Sequence, residues 1–237
     1  MSREEAPVPY PMEWIDLGRV DYEPAFELQL RLHALRRADE IADTILIQEN
    51  PPVITLGRSA SEANILAPRK ELQATGVAVI EVSRGGDVSY HGPGQLVVSA
   101  IMRLRDRVAS IHEYLRLIEQ VAINLVAEYG IQAERIPGAS GVWTQDKKIA
   151  AVGIAISHGV TLHGLAVNVD PDLSHFELIR PCGLENTGVT SIAALTGSKP
   201  GLPDVRDRLL HEFGQVFECP VRASGVDVAE LMHRSKE

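Results

Sequence analysis

The sequence predicts an α+β fold, with helices packed on mixed or antiparallel sheets in a single domain. Three observations carry that expectation. A chain of 237 residues with 45% apolar side chains can bury one sizeable core. Helical and strand periodicities both occur, but not in a regular βαβ alternation. The apolar runs 149–156 and 160–169 flank Ser157-His158-Gly159, a turn-like link that reads as an antiparallel hairpin. One domain over 1–237 is expected, its core at about 12–220, with both tails peripheral.

Taken in order, residues 25–42 read as a helix with Phe26, Leu30, Leu35, Ala38 and Ile41 as its apolar stripe. Strands are expected at 43–49, 77–82 and 95–102. Ser110 and Glu113 form a capping box ahead of Ile111, Leu115, Ile118, Val121, Leu125 and Val126, and Gly130 supplies the stop. In 160–169, period-two alternation groups Leu162, Gly164, Ala166 and Asn168 on one face and Thr161, His163, Leu165, Val167 and Val169 on the other. The stretch 171–190 is turn-rich and reads as loop and short strand. A last helix starts after Pro203 with Val205, Leu209, Leu210, Phe213 and Val216 on one side. From Val221 the tail is polar and expected to be marginal to the core.

Composition narrows the function classes. With 23 Lys+Arg against 32 Asp+Glu, the formal charge is −9, which argues against a general nucleic-acid binder. The local clusters Arg31/Arg36/Arg37 and Arg103/Arg105/Arg107 read as solvated faces, or as docking points for an acidic protein. Two cysteines, Cys182 and Cys219, make no disulfide framework. The N-terminal residues lack an apolar signal core, and no run approaches the ~18 apolar residues of a membrane span. A cytoplasmic setting with no membrane partner is therefore expected, and a monomer by default.

The chemistry-bearing residues begin with Arg84-Gly85-Gly86-Asp87-Val88-Ser89-Tyr90-His91-Gly92-Pro93-Gly94-Gln95, between two apolar runs. Glycines there let a backbone approach a ligand closely, yet the spacing is neither that of a P-loop nor that of a dinucleotide fingerprint. By composition the segment is an ordinary long connection; Arg84, Tyr90 and His91 add the polar and aromatic equipment of a binding loop. Cys182 lies between Pro181 and Gly183, outside any apolar periodic run, and reads equally as a nucleophile or a loop residue. Cys219 has no convergent neighbours and reads as structural. A nucleophilic thiol needs a cation or base beside it. Lys147 and Lys148 open the 149–156 strand, and His91 and His163 are the other candidate bases.

The stretches RGGDVSYHGPGQL, KKIAAVGI, TLHGLAVNV and RPCGLENTGVTSI together resemble the lipoyl(octanoyl) transferase family, in the family's order and over more than half the chain. The earlier element PPVITLGRSASEANIL also fits. The resemblance implies the fold of the biotin/lipoate protein ligase superfamily. It implies transfer of an octanoyl group from octanoyl-acyl carrier protein to a lysine on lipoyl domains of 2-oxoacid dehydrogenase complexes and on the glycine cleavage H protein. It implies a Cys182/Lys148 pair with no metal and no cofactor. Acyl binding would fall on Arg84, Gly85, Gly86, Asp87, Val88, Ser89, Tyr90 and His91, on Ala151, Val152 and Gly153, and on His163, Gly164, Leu165 and Ala166.

The chemistry expected is two-step acyl transfer through a thioester on Cys182, with Lys148 favouring the thiolate and backbone N–H groups at Cys182-Gly183 holding the oxyanion. A thioester donor is already activated toward amines, so no nucleotide is required. Burying the six methylenes and the methyl of an octanoyl tail contributes about 5 kcal/mol at ~0.8 per carbon. The rival readings are an ATP-dependent lipoate or biotin ligase of the same fold, which needs no thiol, a non-catalytic acyl-carrier-binding module, and a cysteine hydrolase.

Overall fold

The computed structural model describes residues 10–180 and 188–226. Its elements run β1 (Met12–Arg19), α1 (Tyr22–Arg37), β2 (Thr44–Glu49), β3 (Val53–Leu56), α2 (Arg69–Ala74) and β4 (Ala78–Glu81). Next come β5 (Val88–His91), β6 (Gln95–Ile101), α3 (Ile111–Ala127), β7 (Glu134–Ile136) and β8 (Ala139–Thr144). The order closes with β9 (Lys147–Ser157), β10 (Val160–Asn168), β11 (Gly188–Val189), α4 (Ile192–Thr196), α5 (Leu202–Val216) and β12 (Val221–Ala223). Among the described residues the strands make a large mixed sheet ordered β12-β1-β2-β6-β10-β9-β8-β7, with β11 also against β9, and a small sheet ordered β4-β3-β5.

The hairpin at the centre forms as expected. Val160 pairs with Ser157, and the linking His158 and Gly159 have φ of 51° and 76°. Positive φ at both positions of a two-residue loop matches the twist of the strands it joins. All strand expectations fall on observed strands within two residues.

Two helices, α3 and α5, cover one face of the large sheet. Ser110 Oγ accepts from the Glu113 N–H, and Glu113 Oε2 accepts from the Ala109 N–H, so the predicted cap forms. Helix α3 then buries Tyr114, Ile118, Val121, Ala122, Leu125 and Val126 against Ile45, Ile47, Val98, Leu165 and Val167 of the sheet. Its expected first stripe residue, Ile111, is instead half exposed. Helix α5 adds Val205, Leu209, Leu210 and Phe213 to the same core, with Pro203 in its first turn, where a missing N–H costs nothing.

Helix α1 covers part of the opposite face, meeting Leu46, Ile101 and Val160 through Leu28 and Leu32. It differs from the expected span: it starts at Tyr22 and ends at Arg37, where Asp39 takes a left-handed φ of 62°. Its buried face is Ala25, Leu28, Gln29, Leu32, His33 and Arg36. Leu30 and Ala38, placed on the expected stripe, are exposed. The apolar pattern misled because the inward face carries Gln29, His33 and Arg36, each of which has a partner inside.

Those partners also account for half of the basic clusters. Asp43, its side chain 2% exposed, accepts from Arg36 Nε and Arg107 Nε and from the Arg103 N–H. Arg103 further reaches Asp39. Three of the six clustered arginines are therefore structural cations. At the C-terminal side, β12 pairs in parallel with β1, so the chain from Val221 to Ala223 is part of the sheet. Cys219 is buried in the main core, and burial pushes its thiol pKa up.

Candidate active site

The pleat sorts the central strands into an apolar and a small-residue face. Leu96, Val98, Leu165 and Val167 point to the α3/α5 core, which leaves Val97, Ser99, Gly164, Ala166 and Asn168 on the other side. Beyond that side stands the small sheet, whose β5 follows the Arg84–Asp87 turn. Between the two lies a cavity of about 70 Å³, several times the 10–15 Å³ that one water needs.

All the expected acyl-site residues reach this cavity: Arg84 through His91, Ala151 through Gly153, and His163 through Ala166, together with Lys148. Val152 and Leu165 border it while their side chains belong to the α3/α5 core. Cys182 lies outside the described residues.

The glycine-rich segment is a turn followed by a strand, not one long loop. Arg84 is buried and donates through Nη2 to the Thr55 carbonyl and Oγ1 at 2.7 and 2.9 Å, and through Nη1 to the Gly85 carbonyl. Gly85 N–H donates to the Ile154 carbonyl at 2.8 Å, seating the turn on β9. A Cβ at Gly153 would lie 3.1 Å from Arg84 Cδ and 3.3 Å from the Gly85 carbonyl oxygen. One at Gly164 would lie 2.5 Å from the Val98 carbonyl oxygen. These glycines serve close backbone approach as much as they line a slot. Asp87 accepts from the Ser61 N–H and from Asn64 Nδ2.

His163 departs from the expected face. Its φ is 61°, which breaks the alternation and turns the ring away from Leu165 and Val167. Its N–H donates to Gln29 Oε1 at 2.8 Å, while Gln29 Nε2 donates to Ser99 Oγ at 2.7 Å. The ring stacks on Phe26 at 5.2 Å, with Nε2 at 3.1 Å from Ser83 Oγ. A non-glycine residue held left-handed is a form of strain that clusters at functional sites. Burial first, then the charge of Arg84, lowers its pKa to about 3.

His91 is held by a chain of amides. The pair His91 Nδ1 and Gln95 Oε1 lies at 2.7 Å, so Nδ1–H donates and Nε2 is left as acceptor toward Thr55 Oγ1 at 3.4 Å. Gln95 Nε2 donates to Asn168 Oδ1, and Asn168 Nδ2 donates to the Thr190 carbonyl, both at 2.9 Å. Tyr22 stacks on the His91 ring at 5.5 Å. Burial, then Arg84, lowers the His91 pKa to about 4. Both imidazoles are thus neutral near pH 7 and act as hydrogen-bonding walls.

Lys148 is buried in the wall, with Nζ 4.7 Å above the centre of the Trp143 ring. Strand β11 runs beside it: Val189 pairs with Lys148, and the Thr190 N–H donates to the Lys148 carbonyl at 3.0 Å. Lys147 is exposed on the opposite side of the strand. Among the described residues no cluster of three His, Cys, Asp or Glu side chains offers a metal site.

Sequence reasoning missed Tyr22, Thr55, Gln95, Ser99, Asn168 and Trp143. Gln95 and Asn168 were findable, since one closes the glycine-rich segment and the other shares the Gly164/Ala166 face. Tyr22 and Thr55 come from elements remote in sequence and carry no local signal.

Residues 21–214 match the family model of the lipoyl protein ligase A/B catalytic domain. An octanoyltransferase of Chloroflexus aggregans is 46% identical over 211 residues, 87% of this chain and 96% of the relative. One of Caldicellulosiruptor saccharolyticus is 46% identical over 219 residues, 91% of this chain and 93% of the relative. Among solved structures, a bi-partite lipoate protein ligase from Thermoplasma acidophilum aligns at TM-score 0.73 and 15% identity, over 96% of this chain and 91% of that one. A biotin protein ligase from Aquifex aeolicus in complex with biotin and ATP aligns at TM-score 0.54 and 15% identity, over 87% and 70%. These two likenesses establish the fold alone.

Proposed function

Because the chain belongs to the lipoyl protein ligase A/B catalytic family, we propose that it works as its curated relatives are named, with Cys182 and Lys148 as its reacting pair. It is an octanoyltransferase of protein lipoylation, and its acceptors are lipoyl-domain proteins. The donor is octanoyl-acyl carrier protein. The acceptors include the lipoyl domains of 2-oxoacid dehydrogenase complexes and the glycine cleavage H protein.

The Cys182 thiolate attacks the octanoyl carbonyl, and the tetrahedral adduct collapses by expelling the carrier's thiolate, which takes up a proton. The acceptor lysine, as the free amine, attacks the new thioester. It loses one proton, and the Cys182 thiolate leaves as the amide forms. Lys148, as an ammonium beside the reacting sulfur, stabilises the thiolate and gives its proton to the departing carrier thiolate; as the free amine it then takes up the proton that the acceptor lysine loses. No phosphoryl chemistry is needed, since the donor thioester carries the activation.

One observation supports this reading above the others: Lys148 is buried in the wall of the cavity that the glycine-rich turn and the small-residue face enclose. Strand β11, which begins six residues after Cys182, is paired to β9 at that lysine. The test is incubation with octanoyl-loaded carrier followed by intact mass. An octanoyl adduct that hydroxylamine removes and that disappears in Cys182→Ala is expected. Its persistence in that variant rejects the thioester, and ATP-dependent use of free octanoate would favour a ligase.

A further inference from the structure

We propose that Trp143, set in register by a bulge that Glu119 secures, is the positioning residue for the Lys148 ammonium; this rests on the catalytic role proposed for Lys148. The bulge is visible in the pairing of β8 with β9. Val142 faces Ala150 but Trp143 faces Lys148, so the register slips by one residue between them. Continuous pairing would set Trp143 opposite Ile149, a core residue. The slip makes Trp143 and Lys148 directly opposed, the arrangement that puts two side chains on one face of an antiparallel pair. Bulges re-aim side chains in this way beside functional sites.

The bulge is held from outside the sheet. Gly141, just before it, has a φ of 116°, a conformation that a side chain resists. A Cβ there would lie 2.7 Å from the Ala150 carbonyl oxygen and 3.3 Å from Lys148 Cε, so glycine also makes room for the lysine stem. The Gly141 N–H donates to Glu119 Oε1 at 3.2 Å. Glu119 is a 1% exposed carboxylate on α3, and its other oxygen accepts from Arg116 and Arg135 at 2.8 and 3.1 Å. Glu119 thus ties the Gly141 backbone N–H to two guanidiniums from the buried face of α3. Trp143 is 1% exposed, so its ring face offers the cation an attractive surface in a site with little competing water. The ring holds the ammonium at the cavity wall, 4.7 Å above its own centre.

The test is a double-mutant cycle on octanoyl loading, with melting temperature as the check on folding. Trp143→Leu removes the ring and should lower kcat about tenfold, with KM for the octanoyl donor unchanged. Trp143→Phe keeps a ring face and should recover part of that loss. Where Trp143→Leu folds poorly, Glu119→Ala serves as the second probe: it should lower kcat, and Glu119→Gln, which still accepts from Gly141, should restore most of it. In a Lys148→Ala background, Trp143→Leu should cause no further loss. If the two losses multiply, Trp143 does not act through Lys148 and the inference falls while the catalytic reading stands. If Lys148→Ala alone leaves loading unchanged, it is the catalytic reading that fails.

Discussion

The Tyr90 hydroxyl and His175 Nδ1 share a hydrogen bond at 2.6 Å, tying the small sheet to the 3-10 turn at Leu173–Leu178. The Tyr90 ring also meets the edge of the Phe176 ring at 5.1 Å. Burial raises the phenol pKa to about 12, so the hydroxyl keeps its proton near neutral pH. Replacing Tyr90 by Phe leaves His175 Nδ1 to water and is expected to cost about 1 kcal/mol. In a chain of this size that corresponds to a melting point lower by roughly 2–4 °C. Calorimetry of Tyr90→Phe against wild type measures it; an unchanged melting point would mean that the bond contributes nothing.

The two cavity histidines make stability depend on pH in a defined direction. Their folded pKa values, about 4 for His91 and about 3 for His163, lie below the ordinary 6.5. Between those values and 6.5 the unfolded chain binds more protons than the folded one, so stability is fully present above 6.5 and is lost as pH falls. The slope is up to about 1.4 kcal/mol per pH unit for each histidine. Urea midpoints at pH 7.5 and pH 5 should differ accordingly, and His91→Gln should reduce the difference.

Two glycines of the site should separate binding from folding. Gly164→Ala would place a Cβ 2.5 Å from the Val98 carbonyl oxygen, forcing β6 and β10 apart at the centre of the sheet. A loss of about 1–3 kcal/mol is expected. Gly153→Ala meets Arg84 Cδ at 3.1 Å and the Gly85 carbonyl oxygen at 3.3 Å, a looser approach than at Gly164 and one that falls on the binding turn. Its expected signature is a KM for the octanoyl donor raised several-fold, with a melting point closer to wild type. Steady-state kinetics beside thermal unfolding of both variants decides the matter.

Asp43 is the hub of a buried ion-pair network that joins α1 to the β6–α3 connection through Arg36 and Arg107. Asp43→Asn keeps the shape but leaves two guanidiniums without their shared carboxylate, and should destabilise by about 3–5 kcal/mol. Chemical denaturation tests this. A variant as stable as wild type would show that the arginines find compensation elsewhere.

How far each element could be read depended on where its determinants lie. The α3 cap was legible because Ser110 and Glu113 are three residues apart and satisfy the same helix end. The β9–β10 hairpin was legible because His158-Gly159 carries the turn in two residues. The inward face of α1 was not, since Gln29, His33 and Arg36 are buried only because Ser99, the Ser157 carbonyl and Asp43 wait for them across the chain. The short strands β3, β5 and β12 escaped for a similar reason: each depends on a partner distant in sequence.

By itself the sequence determined the α+β class, the segments that meet at the cavity and the family they announce. Those follow from local periodicity, from glycines where backbones converge, and from motif order along the chain. Tertiary structure alone decided how the site is held. It turned His163 out of its strand's alternation, linked His91 to Thr190 through two amides, and slipped β8 by one residue so that Trp143 lies under Lys148. Each is a contact between residues far apart or out of register, with an energy that exists only once the partner strand or helix is in place.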